Sequence, residues 1–158
     1  MNQKKLISYF SWSGNTAAIA KLIQKETGAE LFEIITIKPY PEDYYETTRV
    51  AKDELKKNAR PELTGAIKNM DDYDIIYLGY PNWWGTFPMA VSTFLESYDF
   101  SGKTIVPFCT HEGSGIGRSE GDIRKLCPNA KVLSGIAIRG SSATRADNPI
   151  LSWLKKQV

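Results

Sequence analysis

The chain has 158 residues, of which 42% are hydrophobic and 24% charged. That fits one soluble globular domain spanning residues 1–158, with a core that needs neither disulfides nor a structural metal, and excludes a disordered or fibrous chain. Lys and Arg total 20 against 18 Asp and Glu, a formal charge of +2, too balanced for a nucleic-acid-binding surface or a polyacidic carrier.

The polar start MNQKK is followed by an apolar stretch too short for a signal peptide or a membrane span, so neither export nor membrane insertion is expected. Leu6–Phe10, apolar apart from Ser8, reads as a strand covered on both faces of a parallel sheet, and it runs into the turn Ser11-Trp12-Ser13-Gly14. From Asn15 onward Ile19, Leu22 and Ile23 share one helical face, and Gly28 suits the stop. Leu31–Ile37 is expected as a second strand and roughly Glu42–Asn58 as a helix with Tyr44, Thr48, Ala51 and Leu55 along one side, ended by Arg60-Pro61. Ile75–Tyr80 is the most strand-like run; Pro81–Phe87 is a loop, and Pro88 opens a helix that buries Ala90, Val91, Phe94 and Leu95. Thr104–Cys109 is a fourth strand in which Pro107 argues for an edge or a bulge. A short helix around Glu120–Leu126, a fifth strand over Lys131–Ile138 and a last helix capped by Asn148-Pro149 complete the chain.

Strands joined by helix-length connections pair in parallel, and right-handed crossovers put helices on both faces. The expected fold is therefore α/β, a three-layer sandwich around a five-stranded parallel sheet. Ligands of such sheets sit beyond the carboxyl ends of the strands where the winding reverses, which places function in the loops after strands one, three and four.

The first of these, Ser11-Trp12-Ser13-Gly14-Asn15-Thr16, joins a strand end to a helix start without a Lys or Arg. It suits a phosphate monoester held by amides and hydroxyls; it lacks the lysine of a Walker A loop and the GxGxxG spacing of a dinucleotide site. The plainer use of Ser13 or Asn15 is as a helix cap. The third-strand loop, Pro81-Asn82-Trp83-Trp84-Gly85-Thr86, puts two tryptophans where a flat aromatic ligand could stack and Asn82 where it could bond a ring edge, with at least one tryptophan expected to be structural. The fourth-strand loop, Thr110-His111-Glu112-Gly113-Ser114-Gly115, can bring amides against a ligand edge. His111 is the only histidine and makes neither a metal site nor a hydrolase triad; charge tuning is its best functional role, a solvent-exposed loop histidine the bland one. Cys109 and Cys127 form no disulfide framework or CxxC metal site, which favours a cytoplasmic setting. Six residues after Cys109, where a CxxxxxR phosphatase loop has arginine, stands Gly115.

Taken together the three loops resemble the flavodoxin family over essentially the whole chain. In that family a loop of the form hydroxyl-x-hydroxyl-Gly-Asn-Thr cradles the phosphate of FMN, and Ser11, Ser13, Gly14, Asn15 and Thr16 occupy those positions. The runs PYPEDYY (Pro39–Tyr45), YLGYPNWWGTFP (Tyr77–Pro88) and SGKTIVPFCTHEGSG (Ser101–Gly115) extend the similarity. The resemblance implies strand order 2-1-3-4-5, FMN as cofactor, and Pro81–Gly85 and Thr110–Gly115 flanking its ring. It implies no catalytic side chain and no metal, because the flavin performs the redox chemistry. Two departures stand out: the loop after strand four has no stacking tyrosine, leaving the tryptophans to supply it, and the chain is not acidic as electron-carrier flavodoxins are. The expected function is electron transfer between protein partners, the expected partners being redox proteins or a small electron acceptor. The alternatives are an FMN-dependent NAD(P)H oxidoreductase reducing quinones or nitro compounds, which is often a homodimer, and a flavin-free binding module.

Overall fold

The computed structural model describes residues 4–157. Strand β1 (Lys5–Tyr9) alternates its side chains between two cores, Leu6 into one and Ile7 and Tyr9 into the other. Helix α1 (Asn15–Thr27) buries Ile19, Ala20 and Ile23 and stops at Gly28, whose φ of 71° and N–H bond to Gln24 O make a left-handed C-cap. Beyond it the run expected as one strand is two. β2 (Glu30–Glu33) pairs with β1 only as far as Tyr9, where β1 ends. With no partner left, the chain turns at Ile34, and β3 (Ile35–Thr36) pairs antiparallel with β4 (Leu63–Thr64) in a separate two-stranded sheet.

Between them lies α2 (Tyr44–Lys57), capped by the Asp43 carboxylate, which accepts from Glu46 N–H at 2.9 Å. Its core face is only partly the side expected, for Ala51 belongs to both. Thr47 and Ala51 are buried, whereas Tyr44 is 59% exposed.

β5 (Ile75–Pro81), α3 (Met89–Glu96), β6 (Thr104–His111) and α4 (Ser119–Leu126) follow the expected order. The expected fifth strand is divided into β7 (Lys131–Val132) and β8 (Ile136–Arg139), both parallel to β6. Pro107 therefore lies in an interior strand, contrary to expectation, and the division explains how. Ile105 O accepts from Leu133 N–H, so Pro107, two residues on, faces the same side. There β7 has ended, and β8 first pairs opposite Phe108. The donor that proline lacks falls in the gap. Helix α5 (Asp147–Lys156) begins one residue before the expected cap, so Asn148 and Pro149 sit in its first turn, where a missing N–H costs no intrahelical bond.

The main sheet runs β2-β1-β5-β6-β7, with β8 also on β6. Counting β7 and β8 as one interrupted strand, this is the order 2-1-3-4-5. Ile19 and Ile23 of α1 with Ile150, Trp153 and Leu154 of α5 cover one face; Ala90, Val91, Phe94 and Leu95 of α3 with Ile123 of α4 cover the other. Among the described residues no helix is long and apolar enough to cross a membrane.

Candidate functional site

The carboxyl ends of β1, β5 and β6 bring all three predicted loops to one cavity of about 750 Å³. The first loop contributes Trp12, Ser13 and Asn15 to its wall; the second Pro81, Asn82, Trp83 and Trp84; the third Thr110, His111, Glu112 and Ser114. Ser11, Gly14, Thr16, Gly85, Gly113 and Gly115 belong to the same loops without lining it. The sequence leaves open whether the tyrosines of residues 38–60 are core or reach the pocket; α2 brings Tyr44 and Tyr45 to the lining, with Thr47, Thr48 and Ala51.

At the first loop Gly14, with φ at 96°, turns the chain into α1. The capping role falls to Ser11 rather than Ser13 or Asn15: its Oγ accepts from the N–H groups of Gly14 and Ala17, each at 3.2 Å. Among the described residues nothing accepts from the N–H of Ser13, Asn15 or Thr16. The α1 terminus thus keeps free donors and a partial positive charge beside the cavity, with no acidic side chain in its first turn. Thr16 is buried, and its hydroxyl lies 2.8 Å from that of Thr110, tying the first loop to the third.

The second loop is a tight turn. Trp83 N–H donates to Thr86 O at 2.8 Å, and the two central residues, Trp84 and Gly85, have φ of 60° and 92°, the left-handed pair of a type I′ turn. Asn82 is committed within the protein: its Oδ1 accepts from Gly85 N–H at 2.9 Å, and its Nδ2 donates to Gly115 O at 2.8 Å. Its carboxamide aligns the second and third loops, and the side chain still lines the cavity where it could bond a ring edge. Trp83 packs edge-on against Phe10 and Tyr40, with centroids 5.3 and 5.1 Å away, so it is a structural tryptophan as well as part of the lining. Behind it Tyr40 donates to the Glu54 carboxylate at 2.6 Å, and burial raises that carboxyl above its usual range.

In the third loop the Nδ1 of His111 accepts from Gly113 N–H at 2.9 Å, a bond available only to the neutral ring. Burial and the nearby Arg139 guanidinium both hold the imidazole below its ordinary 6.5, against an opposing pull from Glu112. His111 is therefore neutral at pH 7. Because its folded pKa is depressed, the stability it contributes is complete above the unfolded pKa and is lost as pH falls through the folded one. A ring-proton NMR titration is expected to place its midpoint below 6.5, with Arg139→Gln raising it and Glu112→Gln lowering it; a midpoint above 6.5 in the unaltered protein would contradict this. Cys109 is no nucleophile: it is buried, which pushes its thiol up to about 12.

The site's outer edge depends on close backbone approach. Among its neighbours, Gly140 at the end of β8 leaves room for the side chains of Asn15 and Glu112, which a Cβ there would overlap. Gly117, with φ at 63°, lies directly against the Gly85 carbonyl.

The family model described as Flavodoxin matches residues 4–157. A candidate flavoprotein of Bacteroides uniformis is 31% identical, with 98% of this chain and 99% of that one covered and a TM-score of 0.87. A second, from Bacteroides eggerthii, is also 31% identical, with 98% and 97% covered and a TM-score of 0.86. A flavoprotein of Lactobacillus acidophilus, solved in complex with FMN, is 26% identical over 93% of this chain and 99% of that one, with a TM-score of 0.76. No curated protein matches the chain.

Proposed function

This chain belongs to the flavodoxin family, and on that premise we propose that it binds FMN and passes electrons between redox partner proteins in the cytoplasm. The observation that carries the reading is a cavity in which unsatisfied N–H groups of a helix terminus share a wall with aromatic side chains. The residues present fit the cofactor. A phosphate monoester suits the free donors of Ser13, Asn15 and Thr16. A flat polar ring suits walls built from Trp12, Trp83 and the hydroxyl- and amide-bearing loops. FMN, once held there, supplies the redox chemistry.

The chain's own part is to bind, orient and tune. Ser11 and Gly14 fix the direction of the α1 donors, while Asn82 and the Thr16–Thr110 pair hold the loops at constant separation. A neutral His111 adds no full positive charge to the wall.

The carrier reading is favoured over a nicotinamide-dependent enzyme by the lining: among the described residues no Lys or Arg lies on the cavity wall to clamp a dinucleotide's phosphates. The charge of +2 suits partners with neutral or acidic docking faces. Purified FMN-loaded protein mixed with NAD(P)H and a quinone is expected to show no steady-state turnover until a separate reductase is added. Turnover by the protein alone would replace the carrier with the oxidoreductase.

A further inference from the structure

The exposed aromatic side chains cluster where a soluble surface gives no reason for them. Tyr44 is 59% exposed and Tyr45 79%, yet both lie on the cavity wall. Their rings are 5.5 Å apart, and Tyr44 stands 6.2 Å from Trp12. Across the cavity the loop from Thr110 to Gly115 has no aromatic residue, and Trp83 is wedged against Phe10 and Tyr40.

The segment carrying the tyrosines is held in place from several sides. Trp12 Nε1 donates to Pro41 O at 3.0 Å, and Thr47 Oγ1 donates to the same carbonyl at 2.6 Å. Trp84 Nε1 donates to Thr48 O at 2.9 Å, while the Lys52 ammonium lies 5.0 Å from the centre of its indole. Trp84 keeps a left-handed φ of 60°, strained for a residue with a Cβ, and these contacts to α2 offset the strain. Trp84 is thus used to fasten α2 to the second loop. What α2 then presents to the cavity is an aromatic pair in its first turn.

We propose that Tyr44 and Tyr45 are the ring-stacking wall of this site, so that the flat ring of the bound flavin is covered by the start of α2 instead of by an aromatic residue in the loop after β6. The proposal rests on the FMN reading and adds the residues that read the ring rather than the phosphate. Stacking on an aromatic face is indifferent to the phosphate, so losing it weakens every ligand that has the ring.

The test uses the full-length chain, stripped of flavin and titrated with FMN and with riboflavin, for the unaltered protein and for Tyr44→Ala, Tyr45→Ala, Tyr44→Phe and Tyr45→Phe. The two phenylalanine variants keep the rings and are expected to bind as the unaltered protein does. At least one alanine variant is expected to bind both ligands about ten-fold more weakly, with bound-flavin fluorescence less quenched and thermal unfolding of the flavin-free protein unchanged. Alanine variants with unaltered affinity and quenching, or a loss confined to FMN, would overturn the stacking role while leaving FMN binding intact. An unaltered chain that takes up neither ligand would overturn both readings together.

Discussion

Gly117→Ala is expected to lower the unfolding free energy by about 2–4 kcal/mol and to weaken ligand binding along with it. Two effects add. Gly117 has φ at 63°, a conformation that an added Cβ disfavours by about 1–2 kcal/mol. That Cβ would also run into the Gly85 carbonyl, with the carbonyl carbon only 2.9 Å away, and a backbone group has no rotamer by which to retreat. Relief requires the second and third loops to part. The bonds from Asn82 Nδ2 to Gly115 O and from Arg118 N–H to Gly85 O, both 2.8 Å, would open with them. Thermal unfolding should fall by roughly 5–15 °C. A variant within about 0.5 kcal/mol of the unaltered protein would show that the loops do not depend on that contact.

Gly79→Ala acts one layer deeper, where the strands that carry these loops meet. Gly79 and Phe108 are register partners on β5 and β6, and a Cβ on Gly79 would enter the Phe108 ring. Phe108 has no exposed surface and packs in the core beneath α1 and α5, so the ring has little space to shift. The expected cost is about 1–3 kcal/mol, from overpacking alone. A double-mutant cycle checks the cause: Gly79→Ala combined with Phe108→Ala should be less destabilised than the sum of the two single changes, because each removes the reason for the other's cost. Strict additivity would place the strain elsewhere.

The loops, the helix N-terminus after β1 and the strand order could be read in the sequence because each depends on local patterning. Apolar runs, the turn at Ser11–Gly14 and Pro88 ahead of α3 carry their meaning within a few residues. The divided strands were not legible, since β2 ends where β1 stops offering partners and β7 and β8 are separated opposite Pro107, facts that exist only once distant segments pair. The same limit governs the site. Composition marks Thr16 and Asn82 as polar groups in the segments after β1 and β5, but whether they meet a ligand or a neighbouring loop depends on partners 94 and 33 residues away. Helical periodicity finds the side of α2 that carries Tyr44, Thr48 and Ala51, yet cannot say that this side lines a cavity or that Thr47, off that side, is buried and lines it too. A usable signal was present: an aromatic pair directly after an Asp cap, in a turn otherwise rich in polar residues.

Flavin titration of the purified, flavin-free chain, followed by its visible absorption spectrum, tests the account most directly. The account predicts saturable uptake of FMN at one site per chain with a perturbed flavin spectrum. It also predicts markedly weaker uptake of riboflavin, which lacks the phosphate that the free N–H groups of Ser13, Asn15 and Thr16 would bind. A chain that stays colourless with FMN, or that binds the two flavins equally, would contradict it.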